Sequence, residues 1–375
     1  MEKIIAQNKQ WIDETWEKLD AKLKVVSERS KNKLPYTTIN GVHDDKTTSD
    51  VAWWTNGFWG AMMMLMYSGT KDEHYLEVAR SAQSLLDGAF KDFTELHHDV
   101  GFMWYISSGA DYKLTGDQGA KNRALFAAST LAGRFNPKGG YIKSWNNDEG
   151  WVIIDCMMNI PLLYWASKEI GDDRYKNVAM AHADKTMETH IRPDGSVNHI
   201  VNIDPDTGDV IETFGGQGYE IGSSWTRGQA WAIYGYVQSY IHTGKQEYLD
   251  VAKKVAHYFI ANLYDSFVPP IDFREPEEPK TYDTTAGAIT ACGLIEIAKC
   301  VPEFEKKMYI KAAINILKET EEKFCNWSLD EDSIVQYGSE AYHAKPTGIN
   351  IPIIYGDYYF IDAIHKLKGF ESFNI

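Results

Sequence analysis

The sequence predicts an all-α chain closed into an (α/α)6 barrel, a six-hairpin toroid with residues 1–375 as one domain. Three observations predict it. A motif recurs in which Gly closes one helix and Y-x-x-V-A opens the next: Gly69 with Tyr75, Val78 and Ala79; Gly171 with Tyr175, Val178 and Ala179; Gly244 with Tyr248, Val251 and Ala252. Weaker echoes run from Gly116 to Leu125 and from Pro302 to Tyr309 and Ala312. The recurrence, roughly every 50 to 60 residues with one longer gap, suits an array of helical hairpins. Second, apolar residues repeat at helical spacing in about twelve segments, which pair as six hairpins. Third, both ends are apolar: Ile4, Ile5, Trp11, Ile12, Trp16 and Leu19 at the start, Tyr358, Phe360, Ile361 and Ile364 at the finish. An open solenoid fits the periodicity nearly as well, but it needs polar capping repeats. Ring closure lets the two apolar ends pack on each other.

The segments follow in order. The first helix covers 2–28. The hairpins continue at 55–68 and 73–90, the second member opened by Tyr75. Next come 100–113 and 117–134, separated by Gly116, and then 153–168 and 173–190, separated by Gly171. After a long interruption come 226–242 and 246–264 around Gly244, 282–299 and 302–326 ahead of the Tyr309 echo, and finally 355–368. Gly at these junctions is the residue that stops a helix in the left-handed conformation, and Tyr and Val three apart share one face. No Pro, Gly and Ser-rich linker divides the chain.

Composition excludes several functions. With 38 basic and 53 acidic residues the formal charge is −15, and no Lys/Arg block offers a nucleic-acid face. No apolar run reaches the ~18 residues of a membrane span. The N-terminus has no basic region followed by an apolar stretch, as a secretory signal requires. The four cysteines, Cys156, Cys292, Cys300 and Cys325, form no C-x-x-C pair and read as reduced thiols, so a cytoplasmic protein is expected. Aromatic residues make up 13% of the chain, with 12 Trp and 22 Tyr. Rings in this number serve sugar clefts or helix packing.

Chemistry is expected where long loops interrupt the repeat. Asp155 lies in W-V-I-I-D-C-M-M-N, among aliphatic and Met side chains. Desolvation raises the pKa of such a carboxyl, which suits an acid/base working near neutrality. A helix cap or a partner for a buried Arg explains it equally well at this point. Asp99 ends the run Leu96-His97-His98-Asp99, where capping of the helix from Val100 and ligand binding are both open. Neighbouring residues seldom converge on one ion and no H-E-x-x-H is present, so no metal is expected. Trp54, Trp59, Trp225 and Trp231 flank Gly-rich turns, where ring faces could meet a sugar. Arg227 is the strong cation of its stretch and Gln217 sits in G-G-Q-G; both suit a carboxylate or hydroxyls. No P-loop, dinucleotide fingerprint or nucleophile elbow is found.

At these segments the chain resembles glycoside hydrolase family 88, the unsaturated glucuronyl hydrolases. The matching pieces are W-W-T-N-G-F-W, H-H-D-V-G-F, I-I-D-C, S-S-W-T-R-G-Q-A-W, A-I-T-A-C-G-L and Y-G-D-Y-Y, in family order over roughly residues 10 to 368. The resemblance implies an (α/α)6 barrel and the release of a 4,5-unsaturated uronic acid from the non-reducing end of lyase-generated glycosaminoglycan oligosaccharides. It implies hydration of the ring C4=C5 double bond, with Asp155 as general acid/base and Asp99 as the second essential carboxylate. It implies substrate contacts at His98, Trp54, His199, Gln217, Trp225, Arg227, Trp231 and Tyr342, and no cofactor. The loop 338–345 lies where the family reads the neighbouring sugar, so Ser339 and Lys345 are candidate sulfate contacts, against which Glu340 argues. Asn56 replaces the family's Asp. Alternatives are an unsaturated rhamnogalacturonyl hydrolase acting on pectin fragments, a sugar epimerase, and an inactive sugar-binding protein. The expected partner is a small unsaturated oligosaccharide, with neither nucleic acid nor membrane; the oligomeric state stays open.

Overall fold

The computed structural model describes residues 1–263 and 265–370, the side chain of residue 92 aside. Residue 264, the end of the expected ninth helix, and residues 371–375 of the expected domain lie outside the described residues. After a short lead helix, Glu2–Gln7, six outer–inner helix couples follow in chain order, and the hairpins expected from the sequence are formed by the short turns that join each inner helix to the next outer one. The couples are α1 (Lys9–Ser30) and α2 (Phe58–Thr70), α3 (Glu73–Leu86) and α4 (a π-helical stretch Gly101–Gly109 running into Ala110–Thr115), α5 (Gln118–Ala132) and α6 (Pro161–Ile170). Then come α7 (Arg174–His190) and α8 (Thr226–Thr243), α9 (Gln246–Ala261) and α10 (Thr284–Cys300), α11 (Glu303–Phe324) and α12 (Ile354–Leu367). Each expected segment holds one of these helices. The single segment expected over 2–28 is two helices because the Asn8 amide donates back to the Ile4 carbonyl, 2.8 Å away, in competition with the backbone ladder.

The even-numbered helices form the inner ring and are apolar almost all round. In α10 every residue from Thr284 to Ala298 is buried, and in α12 every residue from Ile354 to Leu367. The odd-numbered helices are amphipathic and form the outer ring, as in α9, which buries Tyr248, Leu249, Ala252, Val255, Ala256 and Phe259. Both rings close. In the inner ring, Phe58 of α2 meets Tyr358 and Tyr359 of α12, ring centroids 5.3 and 5.8 Å apart. In the outer ring, Lys18 of α1 pairs with Glu321 of α11 at 2.7 Å. The repeated Tyr ties neighbouring outer helices together, because its hydroxyl bonds the preceding one. Tyr75 reaches Asp20 at 2.8 Å, Tyr175 reaches Ser129 at 2.8 Å, Tyr248 reaches Asp184 at 2.8 Å, and Tyr309 meets His257 at 2.8 Å. Gly171 and Gly244 stop their helices with φ of +67° and +69°, as expected. At the first repeat Lys71 (φ +59°) takes that conformation instead, and Gly69 packs inside the last turn against the Trp16 ring.

The strands were not foreseen. Trp151–Ile153, Ile200–Ile203 and Val210–Phe214 form an antiparallel sheet in that order, with Ile153 opposite Ile200 and Ile200 opposite Phe214. Its first strand lies between α5 and α6 and the other two between α7 and α8. Among the described residues no helix is long and apolar enough to cross a membrane. All four cysteines are free thiols.

Candidate active site

About half of the expected site residues lie at or just before the start of an inner helix, where Tyr355, not among those expected, joins them. Trp54 precedes α2, Asp99 precedes α4, Asp155 precedes α6, Trp225 and Arg227 stand at the start of α8, and Tyr355 stands at the start of α12. Their rings meet on the barrel axis. Phe102 lies 5.1 Å from Trp231 and 5.5 Å from Trp54, and Trp54 lies 5.1 Å from Tyr355. Toward the other end of α12, Lys366 is buried and pairs with Asp362 at 2.8 Å and Glu296 at 3.6 Å.

Asp155 sits in a 3-10 turn, Ile154–Met158, that leaves the central sheet and leads to α6. It caps no helix. Its side chain keeps 12% of its surface open, enough to reach a ligand. Burial first, and then the charge of Asp99, push its carboxyl up to about 8; Arg227 and the Trp231 indole N–H pull the other way. The nearest imidazole is that of His199, whose Nε2 lies 3.6 Å from Asp155 Oδ2. The Gln217 N–H donates to His199 Nδ1 at 3.0 Å, which leaves the imidazole proton on Nε2, facing Asp155. Burial, helped by Arg227, pulls His199 down to about 3, so the ring is neutral.

The register of the sheet makes this pair. Asp155 follows the strand ending at Ile153, His199 precedes the strand starting at Ile200, and the Ile154 N–H donates to the His199 carbonyl at 3.1 Å. Past Phe214 the third strand turns back over the His199 ring. Gly216 makes that approach possible: its φ is +59°, and a Cβ there would stand 2.1 Å from His199 Nδ1.

Asp99 caps nothing either. Its Oδ1 accepts from the Asn159 amide at 3.0 Å, and its Oδ2 faces His97 Nδ1 at 3.3 Å and His98 Nε2 at 3.4 Å. Burial alone would raise its pKa, but His98, His97 and Asn159 outweigh burial and hold the carboxyl below the usual range. Burial takes His98 down to about 4, so it too is neutral. The three donor atoms of His97, His98 and Asp99 lie within 4.8 Å of one another. Asn159 engages Oδ1 of that carboxylate, and Oδ2 is the oxygen that faces the two imidazoles. Ser144 braces the two segments a second time: its carbonyl accepts the His98 N–H at 3.2 Å, and its hydroxyl accepts the Ile153 N–H at 2.9 Å.

The other expected contacts sort by depth. Trp54 is partly open, whereas Trp225 is 3% exposed and Trp59 and Trp231 are fully enclosed. Trp59 is core and meets His43. Trp225 backs His199, ring centroids 4.2 Å apart, and Trp231 backs Asp155. Arg227 is buried, pairs with Asp283 at 2.6 Å and donates to the carbonyls of Ser339 and Glu340. Its nearest partners are therefore protein groups, and it anchors the 338–345 loop. Gln217 ties to the same loop through the Glu340 carbonyl at 2.5 Å, and Tyr342 donates its N–H to the Gln217 carbonyl at 2.8 Å. Ser339 is buried, its hydroxyl donating to the Tyr282 carbonyl at 3.0 Å, while Lys345 is exposed with its ammonium 5.6 Å from the Tyr342 ring. The two side chains thus lie at different depths of the same loop. Asn56 is buried and donates to the carbonyls of Asp50 at 3.0 Å and Val51 at 2.9 Å, two bonds an ionised Asp could not make. Asn159, Ser144 and Asp283 were not anticipated, since each acts through a partner distant in sequence.

Residues 26–268 match the profile described as Glycosyl Hydrolase Family 88. The chain belongs to this family. It is 37% identical over 327 residues to the unsaturated glucuronyl hydrolase of Bacillus sp. (strain GL1), covering 84% of this chain and 86% of that protein. It is 34% identical to the unsaturated chondroitin disaccharide hydrolase of Streptococcus pyogenes serotype M1, covering 86% and 82%. The crystal structure of the unsaturated glucuronyl hydrolase from Streptococcus agalactiae superposes with a TM-score of 0.89 at 30% identity, covering 96% of this chain and 93% of that one.

Proposed function

We propose that this family 88 chain is a glycosidase that removes 4,5-unsaturated uronic acid from the non-reducing end of glycosaminoglycan oligosaccharides, unsaturated chondroitin and hyaluronan disaccharides among them. It works in the cytoplasm as one catalytic unit over 1–375; the four free thiols fit a reducing compartment. One observation carries the reading: two braced carboxyls with opposite proton preferences, Asp155 protonated up to about 8 and Asp99 held ionised. Environments that push paired titratable groups apart assign acid and base roles.

The chemistry follows from that pair. Protonated Asp155 gives its proton to C4 of the enol ether. The carboxylate so formed takes a proton from the water that adds to C5. The net change is addition of one water across C4=C5, and the hemiketal then opens and releases the aglycone. The His199 Nε2–H, 3.6 Å away, faces the Asp155 carboxylate as its charge appears. Ionised Asp99 accepts hydrogen bonds from ring hydroxyls. The starts of the inner helices converge on the site and bring the positive ends of their dipoles, which helps an acidic protein hold an anionic sugar. Trp54 and Tyr342 offer the accessible rings.

The double bond absorbs in the near ultraviolet, so turnover is read as loss of that absorbance. Wild type is expected to consume the signal from unsaturated chondroitin disaccharide, with Asp155→Asn slower by about 10²-fold or more. Equal rates in the two proteins would end this reading. Activity confined to unsaturated rhamnogalacturonan fragments would move the substrate to pectin.

A further inference from the structure

We infer that Asn159 is a positioning residue whose side-chain amide couples the Asp99 carboxylate to the turn carrying Asp155, so that the two carboxyls work as one unit. The inference rests on the acid/base reading above and deepens it. Asn159 is fully buried at the end of the Ile154–Met158 turn. Its Nδ2 donates to Asp99 Oδ1 at 3.0 Å and also lies 3.3 Å from the Asp155 backbone carbonyl. Its Oδ1 accepts the Phe102 N–H at 2.8 Å, in the first turn of the π-helical stretch that follows Asp99. One planar amide therefore holds three points: the carboxylate, the turn of the acid/base, and the backbone after the carboxylate. These contacts also fix its orientation, because the reversed amide would set its oxygen against the Asp99 oxygen. The packing is close on every side, and a Cβ on Gly101 would stand 2.6 Å from Asn159 Cα and 2.7 Å from its Oδ1.

The arrangement has a consequence for proton affinity. Asp99 is faced by His97 and His98 on its own segment, by Asp155 and Cys156 on the neighbouring turn, and by Arg134 beyond the end of α5. The two imidazoles stand at 3.3 and 3.4 Å, so the Asn159 amide, at 3.0 Å, is the short donor to this carboxylate. Losing a hydrogen bond to a buried carboxylate disfavours its charged form. Asn159→Asp keeps the shape and the acceptor for Phe102 but removes the donor and adds a competing carboxylate. Asn159→Ala removes the donor without adding charge.

The test is the pH dependence of kcat/KM on unsaturated chondroitin disaccharide for wild type, Asn159→Asp, Asn159→Ala and Asp99→Asn, with melting temperatures measured alongside. The acid limb, set by ionisation of Asp99, is expected to rise by about one to two pH units in each Asn159 variant that folds. A role in packing alone would lower the melting temperature and leave the limb in place, and that result overturns the inference. If Asn159→Ala does not fold, the near-isosteric Asn159→Asp decides. Full activity in Asp99→Asn would instead refute the role given to Asp99. An inactive Asp99→Asn beside Asn159 variants with an unmoved limb would sink the Asn159 inference alone.

Discussion

His199 Nε2 stands 3.6 Å from Asp155 Oδ2 although 43 residues separate the two in the chain. The pairing of Ile153 with Ile200 puts them there, so a small sheet inserted into a helical barrel sets the geometry of the acid/base. A slip of one residue in that register would turn the imidazole to the other face. The turn after Phe214 then fixes the imidazole tautomer through the Gln217 N–H.

Gly216→Ala is therefore expected to damage catalysis without removing any group that touches substrate. The added Cβ would stand 2.1 Å from His199 Nδ1 on a backbone at φ +59°. The expected result is a fall in kcat of about tenfold or more, with a stability loss of about 1 kcal/mol or more. Steady-state kinetics and thermal melting check both.

Asp283→Ala is expected to cost stability more than Asp283→Asn. Asp283 caps α10 through the Thr285 and Ala286 amides and pairs with the buried Arg227 guanidinium at 2.6 Å. Removing it strands that charge, at about 3–5 kcal/mol. Urea denaturation measures the loss. Because Arg227 also holds the 338–345 loop, KM is expected to rise with it.

Asp155→Asn is expected to stabilise the fold, and increasingly so at higher pH. The carboxyl has a folded pKa of about 8, above its value of 3.8 in the unfolded chain. Below 3.8 both states are protonated and the group costs nothing. Between these values the unfolded chain releases the proton and the folded one keeps it, so stability falls as pH rises, and above about 8 the cost is constant. Melting temperatures at pH 4, 6 and 8 are expected to show a growing advantage for the amide, typical of a site that trades stability for function.

Asn56→Asp is expected to destabilise at neutral pH and less so in acid. The amide supplies two donors to the Asp50 and Val51 carbonyls. A carboxylate supplies none, at about 1–3 kcal/mol, whereas the protonated acid recovers one bond. Denaturation midpoints at pH 7 and pH 4 test the sign.

The helices were legible because their apolar periodicity is strong and their junctions carry Gly and Tyr. Asp155 stood out because a lone carboxylate interrupts Val152-Ile153-Ile154 and Cys156-Met157-Met158, and burial acts on it as that context implies. The sheet was harder to see, although Ile200-Val201-Asn202-Ile203 and the Asp204-Pro205-Asp206-Thr207-Gly208 turn are strand and hairpin signals. Depth was the least legible property. Trp59 and Trp231 resemble Trp54 in their local sequence, and only the barrel decides which ring stays open. Asn159, Ser144 and Asp283 were invisible because their meaning lies in partners 60, 46 and 56 residues away, Asp99, His98 and Arg227.

The central claim is that Asp155 protonates C4 before the glycosidic partner departs. A single-turnover experiment at pH 6.5 with enzyme in excess, following ultraviolet absorbance by stopped flow and free aglycone by rapid quench, tests it directly. The predicted result is loss of absorbance ahead of, or together with, aglycone release. Aglycone released while the absorbance persists would mean displacement at the anomeric carbon, and would contradict the role assigned to Asp155.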